Sequence, residues 1–108
     1  MEGPCLRAFP RTLFRCPVEV RSNGKTLRLK EARGNLSVNG LCLNAYGFSV
    51  NTRVRVKLDC ATPLQLEGTV RYCDGNGLGI EFPSLSRAKR ERLCLLIAEF
   101  MLREVLAA

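Results

Sequence analysis

The sequence predicts a small six-stranded antiparallel β-barrel with an irregular N-terminal arm and one C-terminal α-helix. Three observations support this mainly-β fold class. Short runs of alternating apolar and polar residues fill the middle of the chain, two tight hairpin signals separate some of them, and the apolar period becomes helical after Pro83. A chain of 108 residues is long enough for one domain with its own hydrophobic core.

The N-terminal residues show neither a helical nor a strand period. Pro4 and Pro10 interrupt them, and a proline disfavours helical backbone at the residue before it. We therefore predict a flexible arm over residues 1–16 and a barrel with its helix over residues 17–108.

Alternation of apolar and polar residues marks the strands. Residues 53–58 give the clearest case, because one face is apolar and the other is basic. Ser22-Asn23-Gly24 and Asp74-Gly75-Asn76-Gly77 are hairpin turn signals. The predicted strand segments are 18–21, 26–30, 32–37, 41–44, 53–58, 64–73 and 78–82.

The C-terminal segment predicts a helix that is capped by Ser84 or Ser86 and ends near Leu106. Its apolar residues fall on one stripe and on a second, partial stripe along the flank. The second stripe is compatible with a broad core face and with a homodimer formed through this helix. The first stripe comprises Leu93, Leu96, Ile97, Phe100 and Met101, and the second comprises Leu95, Ala98 and Leu102.

The charge balance favours an anionic partner or simple solubility. The formal net charge is +7, and arginine supplies thirteen of the seventeen basic residues. The planar guanidinium group suits phosphates and guanine edges. There is no histidine, paired acidic cluster or glycine-rich phosphate loop before a helix, so we expect no enzyme, no bound metal and no cofactor.

The six cysteines favour a reducing compartment. Their spacing is irregular and contains no C-x-x-C pair, which argues against a zinc knuckle or a redox pair. With no signal peptide visible, we interpret several of them as small apolar residues of a cytoplasmic protein. No apolar run is long enough to predict a membrane span.

A polar hexamer, Asn35-Leu-Ser37-Val-Asn-Gly40, lies between two predicted strands. Asn35 and Ser37 are two residues apart, so their side chains leave the same face of an extended strand. Gly40 lets the backbone turn or lets a ligand approach closely. Taken alone, the hexamer also fits a polar turn whose side chains serve the backbone. Arg33 lies two residues before Asn35 and is predicted to share its face.

Together, the arm and the hexamer resemble the PilZ domain, the bacterial receptor module for cyclic di-GMP. The family carries an R-x-x-x-R element before the barrel and a [D/N]-x-S-x-x-G element after the first strands. Arg7-Ala-Phe-Pro-Arg11 and the Asn35–Gly40 hexamer match these elements, and Gly77-Leu-Gly-Ile-Glu-Phe82 adds a further similarity.

The resemblance implies a cyclic di-GMP site and no catalysis. Its expected ligand contacts are Arg7, Arg11, Asn35, Ser37 and Gly40. Arg33 fits two interpretations equally well, as a further ligand contact and as a solvated strand residue. Many family members have a second arginine beside the first, whereas this chain has Leu6 there, which removes one phosphate contact.

A second, overlapping R-x-x-x-R runs from Arg11 to Arg15, so the binding pair is either Arg7 with Arg11 or Arg11 with Arg15. We prefer the first pair, because the distance from Arg11 to the Pro17-Val-Glu-Val strand matches the family's usual one. Ligand binding is expected to order the arm and so to change the surface shown to an effector protein.

Two alternatives remain from the sequence. One is a PilZ-like domain that binds no nucleotide and acts by protein contact, as some relatives do in pilus biogenesis. The other is a basic barrel that binds nucleic acid through Arg53, Arg55 and Lys57. We regard nucleic acid as unlikely, because the strands offer few aromatic side chains for stacking, with Tyr72 the chief one.

Overall fold

The computed structural model describes residues 11–107. Its elements are β1 (Thr12–Ser22), β2 (Lys25–Ser37), β3 (Gly40–Leu43), β4 (Arg53–Leu58), β5 (Leu64–Asp74), β6 (Gly77–Glu81) and α1 (Arg87–Ala107). The six strands are all antiparallel and form a closed barrel in the order β1-β2-β3-β6-β5-β4, and the helix follows them. The predicted fold class is therefore confirmed.

The first strand begins earlier than the sequence predicts. β1 starts at Thr12, so residues 12–16 belong to a strand, and their predicted place in the arm is wrong. Residues 1–10 of the predicted arm lie outside the described part. Thr12, Phe14 and Cys16 alternate with exposed residues and point into the core. Burial of this face, together with pairing to β2, extends the strand across Pro17.

A bulge explains why β2 is one long strand and not two short ones. The β1–β2 register shifts between Cys16 and Val18, so that Lys30 and Glu31 together oppose Pro17. Proline has no N–H to donate to the ladder, and a bulge is one of the places where a sheet tolerates it. The extra residue exchanges the two faces, which lets Leu27 and Leu29 on one side of the bulge and Ala32 and Leu36 on the other pack towards the core.

The helix covers one part of the barrel with its apolar face. Leu93, Leu96, Ile97 and Phe100 are buried, and the Phe100 ring packs against Phe14 with ring centroids 5.9 Å apart. Met101, predicted on the same stripe, is 39% exposed. Within residues 11–107, the structure contains no helix with the length and apolar character that membrane crossing requires.

Ser86 is the residue that caps the helix. Its hydroxyl accepts a hydrogen bond from the Lys89 N–H at 3.2 Å, and its carbonyl accepts one from the Arg90 N–H at 2.9 Å. This is the N-cap arrangement that satisfies an otherwise unpaired amide of the first turn. Of the two predicted caps, Ser84 is therefore excluded.

We expect truncation of Leu93 to lower the free energy of unfolding by about 2–5 kcal/mol, since Leu93→Ala leaves a cavity under the helix. Leu95→Ala is the matched control, because Leu95 lies on the same helix but is 72% exposed and should change stability by only about 0.5 kcal/mol. Chemical denaturation of the three proteins measures both effects. Equal losses for the two variants would contradict this packing of the helix.

Candidate ligand-binding site

A shallow cavity of about 180 Å³ lies on the outer surface of the barrel, across β2, β3, β6 and β5. It brings together four of the six site residues that the sequence predicts, and these come from two separate parts of the chain. Those four residues are Arg11, Asn35, Ser37 and Gly40, and the further polar side chains around them are Asn39, Cys42, Arg71, Tyr72 and Glu81.

The two polar residues of the hexamer have different roles. The Ser37 hydroxyl accepts a hydrogen bond from the Asn39 N–H at 3.2 Å, so it stabilises the turn between β2 and β3 as the polar-turn interpretation requires. Its own proton stays available for a second partner. The Asn35 side chain is half-buried and makes no hydrogen bond to any residue of the described part. Its amide therefore offers donors and an acceptor to a ligand.

The structure requires a glycine at position 40 for a reason that differs from the predicted one. A Cβ at this position would lie 2.3 Å from the carbonyl oxygen of Ile80, on the neighbouring strand β6. The glycine is thus required by the close approach of β6, while the sequence suggested a turn or a ligand. Gly40 also lines the cavity, because a residue without a side chain leaves the outer surface of β3 low at this point.

A bulge in β5 explains two residues of the cavity that the sequence analysis did not assign to it. The β5–β6 register shifts between Val70 and Tyr72, and Arg71 and Tyr72 are both exposed as a result. Strict alternation would have turned one of them inward. The Tyr72 ring lies against Gly79, where a Cβ would come within 2.1 Å of the ring.

The Tyr72 hydroxyl is held in place by a sulfur atom. It donates a hydrogen bond to the Cys42 Sγ at 3.0 Å. This bond, followed by partial burial, raises the pKa of Tyr72 to about 12, whereas the positive charge of Arg11 acts in the opposite direction. Tyr72 is therefore a neutral phenol at physiological pH, and its ring is fixed at the edge of the cavity.

The charges around the cavity leave one arginine without an acidic partner. Arg71 is paired with Glu81, and its Nε donates to the carboxylate at 2.6 Å. Arg11 is exposed and forms no ion pair within residues 11–107. Since the Arg71 and Glu81 charges offset each other, the lining carries a net positive charge from Arg11.

Of the two remaining predicted residues, Arg33 does not line this cavity. Arg33 stands opposite Arg15 in the β1–β2 ladder. Both arginines line a separate cavity beside the helix, near Phe100. Both arginines lie close to Glu31, at 3.4 Å from Arg33 and 3.9 Å from Arg15. Arg7 lies outside the described residues. Arg11, which both overlapping arginine pairs share, thus lines the cavity, whereas Arg15 does not.

Comparison with protein families assigns the chain to a family. The family model for the PilZ domain matches residues 6–99, which is most of the chain. The chain belongs to the PilZ domain family. The match includes both sequence elements and all six strands.

PilZ domains are receptor and adaptor modules that generally bind cyclic di-GMP. No curated protein matches this chain. Arg11 and four residues of the hexamer, Asn35, Ser37, Asn39 and Gly40, line the cavity together.

We expect Gly40→Ala to lower the free energy of unfolding by about 1–3 kcal/mol even without ligand, because the added methyl group meets the backbone of β6. Gly75→Ala is the control, since Gly75 lies in the β5–β6 turn with no atom within 4 Å of an added Cβ. Its change should stay near about 0.5 kcal/mol. Urea denaturation compares the two. A fully stable Gly40→Ala protein would show that Gly40 serves the ligand alone.

Proposed function

We propose that this PilZ domain is a cyclic di-GMP receptor that signals to a protein partner by rearranging its surface. The observation that supports the proposal is the meeting of Arg11, Asn35 and Ser37 around one cavity, where Arg11 has no acidic partner in the described residues and Asn35 has unused hydrogen-bonding capacity. The expected cytoplasmic location agrees with where PilZ proteins are typically found.

The chemistry of the ligand fits these groups. Cyclic di-GMP carries two phosphate charges and two guanines, and each guanine presents O6 and N7 acceptors side by side. The Arg11 guanidinium can donate two parallel hydrogen bonds to such an edge or to a phosphate. The Asn35 amide can both donate to and accept from a base, and the exposed part of the Tyr72 ring gives a surface for stacking.

The size of the cavity supports a role for the N-terminal arm in the proposed site. Sites that enclose a small molecule usually measure about 300–1,000 Å³. A cavity of about 180 Å³ therefore holds only part of a dinucleotide. We infer that Arg7 and its neighbours cover the remaining surface of the ligand. Fixing the arm in this way would create a new surface for an effector protein, and no chemical step is required.

We expect Arg11→Ala to weaken cyclic di-GMP binding about tenfold or more, because a bidentate arginine contact contributes about 1–3 kcal/mol. Arg15→Ala is the matched control: it removes the same charge four residues away, from a side chain beside Glu31 and outside the cavity. Isothermal titration calorimetry of the wild type and both variants measures affinity and stoichiometry.

Equal weakening by the two variants would mean that arginine charge, and not this site, determines binding. No heat from the wild type at tens of micromolar ligand would overturn the receptor proposal. The effector partner would then be sought for a domain that acts through protein contacts alone.

A further inference from the structure

A second polar cavity, of about 450 Å³, lies between the β1–β2 turn, β4, β5 and the segment that follows β6. It shares no lining residue with the candidate cyclic di-GMP site. Three arginines line it: Arg21, Arg53 and Arg55. Two of them belong to the basic strand face that the receptor function leaves unexplained.

Arg21 and Arg55 stand directly opposite each other in the β1–β4 ladder. Like charges in this position repel and do not help the sheet to form. Each has only a loose acidic neighbour, Glu19 at 3.6 Å from Arg21 and Glu67 at 3.9 Å from Arg55. Both arginine side chains are more than half exposed, so these ion pairs contribute little to stability. Barrel folding therefore does not explain the arginine pair.

Arg53 is the least satisfied of the three. It lies two residues before Arg55 on the same outer face of β4, opposite Thr69 of β5. Within residues 11–107 its side chain forms neither a hydrogen bond nor an ion pair. Among the described residues, Glu67 is the one carboxylate that lines the cavity, beside three arginines; Glu19, the acidic neighbour of Arg21, lies outside the lining.

The remaining polar groups complete a donor-rich lining. Ser22, Thr69 and Ser84 contribute hydroxyl groups, and Asn23 contributes an amide. Guanidinium forks and hydroxyl donors around a concave surface suit an oxyanion that carries more than one charge. The volume falls in the usual range for small-molecule sites.

We propose that this cavity binds a compact diphosphate group, with Arg53 as its principal contact and Arg21 and Arg55 on either side of the charge. The bound anion would offset the repulsion between the opposed arginines. This second site is independent of the cyclic di-GMP site, so the two proposals stand or fall separately.

The test is a titration of ¹⁵N-labelled protein with inorganic pyrophosphate at constant ionic strength, followed by amide chemical shifts. We expect saturable shifts at Asn23, Val54, Thr69 and Ser84. Arg53→Gln should weaken this binding about tenfold, the usual scale for losing hydrogen bonds to a charged group. Lys57→Gln is the matched control, because Lys57 is a basic residue on the same face of β4 that does not line the cavity.

A second titration replaces pyrophosphate with a nucleoside diphosphate. Tighter binding would identify a nucleotide as the source of the diphosphate, and equal binding would identify the free anion; both outcomes support the site. Three results would overturn the site. They are shifts that do not saturate, shifts that appear only around Asn35 and Arg71, and an equal loss of affinity in Arg53→Gln and Lys57→Gln. Thermal unfolding of both variants confirms that each is folded, as expected for side chains on the outer face of the barrel, neither of which is buried.

Discussion

The close approach of backbones across β2, β3 and β6 is the constraint on which the candidate ligand site depends. β3 is the shortest strand, and it closes the barrel between β2 and β6. At Gly34 a Cβ would lie 1.7 Å from the Cys42 carbonyl oxygen, and at Gly40 it would lie 2.3 Å from that of Ile80. Glycine at these positions lets the strands pair and leaves a low surface between Asn35 and Tyr72.

That surface obtains its functional groups from irregularities in the barrel. Gly79 leaves room for the Tyr72 ring, and the bulge at Arg71 and Tyr72 turns two consecutive side chains outward. The early start of β1 brings Arg11 to the edge of the same cavity. One closed ladder thus positions residues that are separated by up to seventy positions in the chain, from Arg11 to Glu81.

The sequence was sufficient to predict the fold class and the position of the hexamer between two strands, because alternation, turn residues and the helical stripe are local signals. It was not sufficient for the start of β1 at Thr12, since Pro17 looks like a strand boundary until pairing with β2 is known. It also could not separate Arg11, Arg15 and Arg33. Those three differ in which cavity they line and in whether Glu31 lies nearby, which only the strand register decides.

The most direct test of the receptor account is to map cyclic di-GMP on the ¹⁵N-labelled protein by amide chemical shifts. The account predicts that the largest saturable shifts lie at Asn35, Ser37, Gly40 and Tyr72, while Arg33 beside the helix changes little. Shifts concentrated around Arg33 and Phe100, or the absence of saturable shifts, would contradict it.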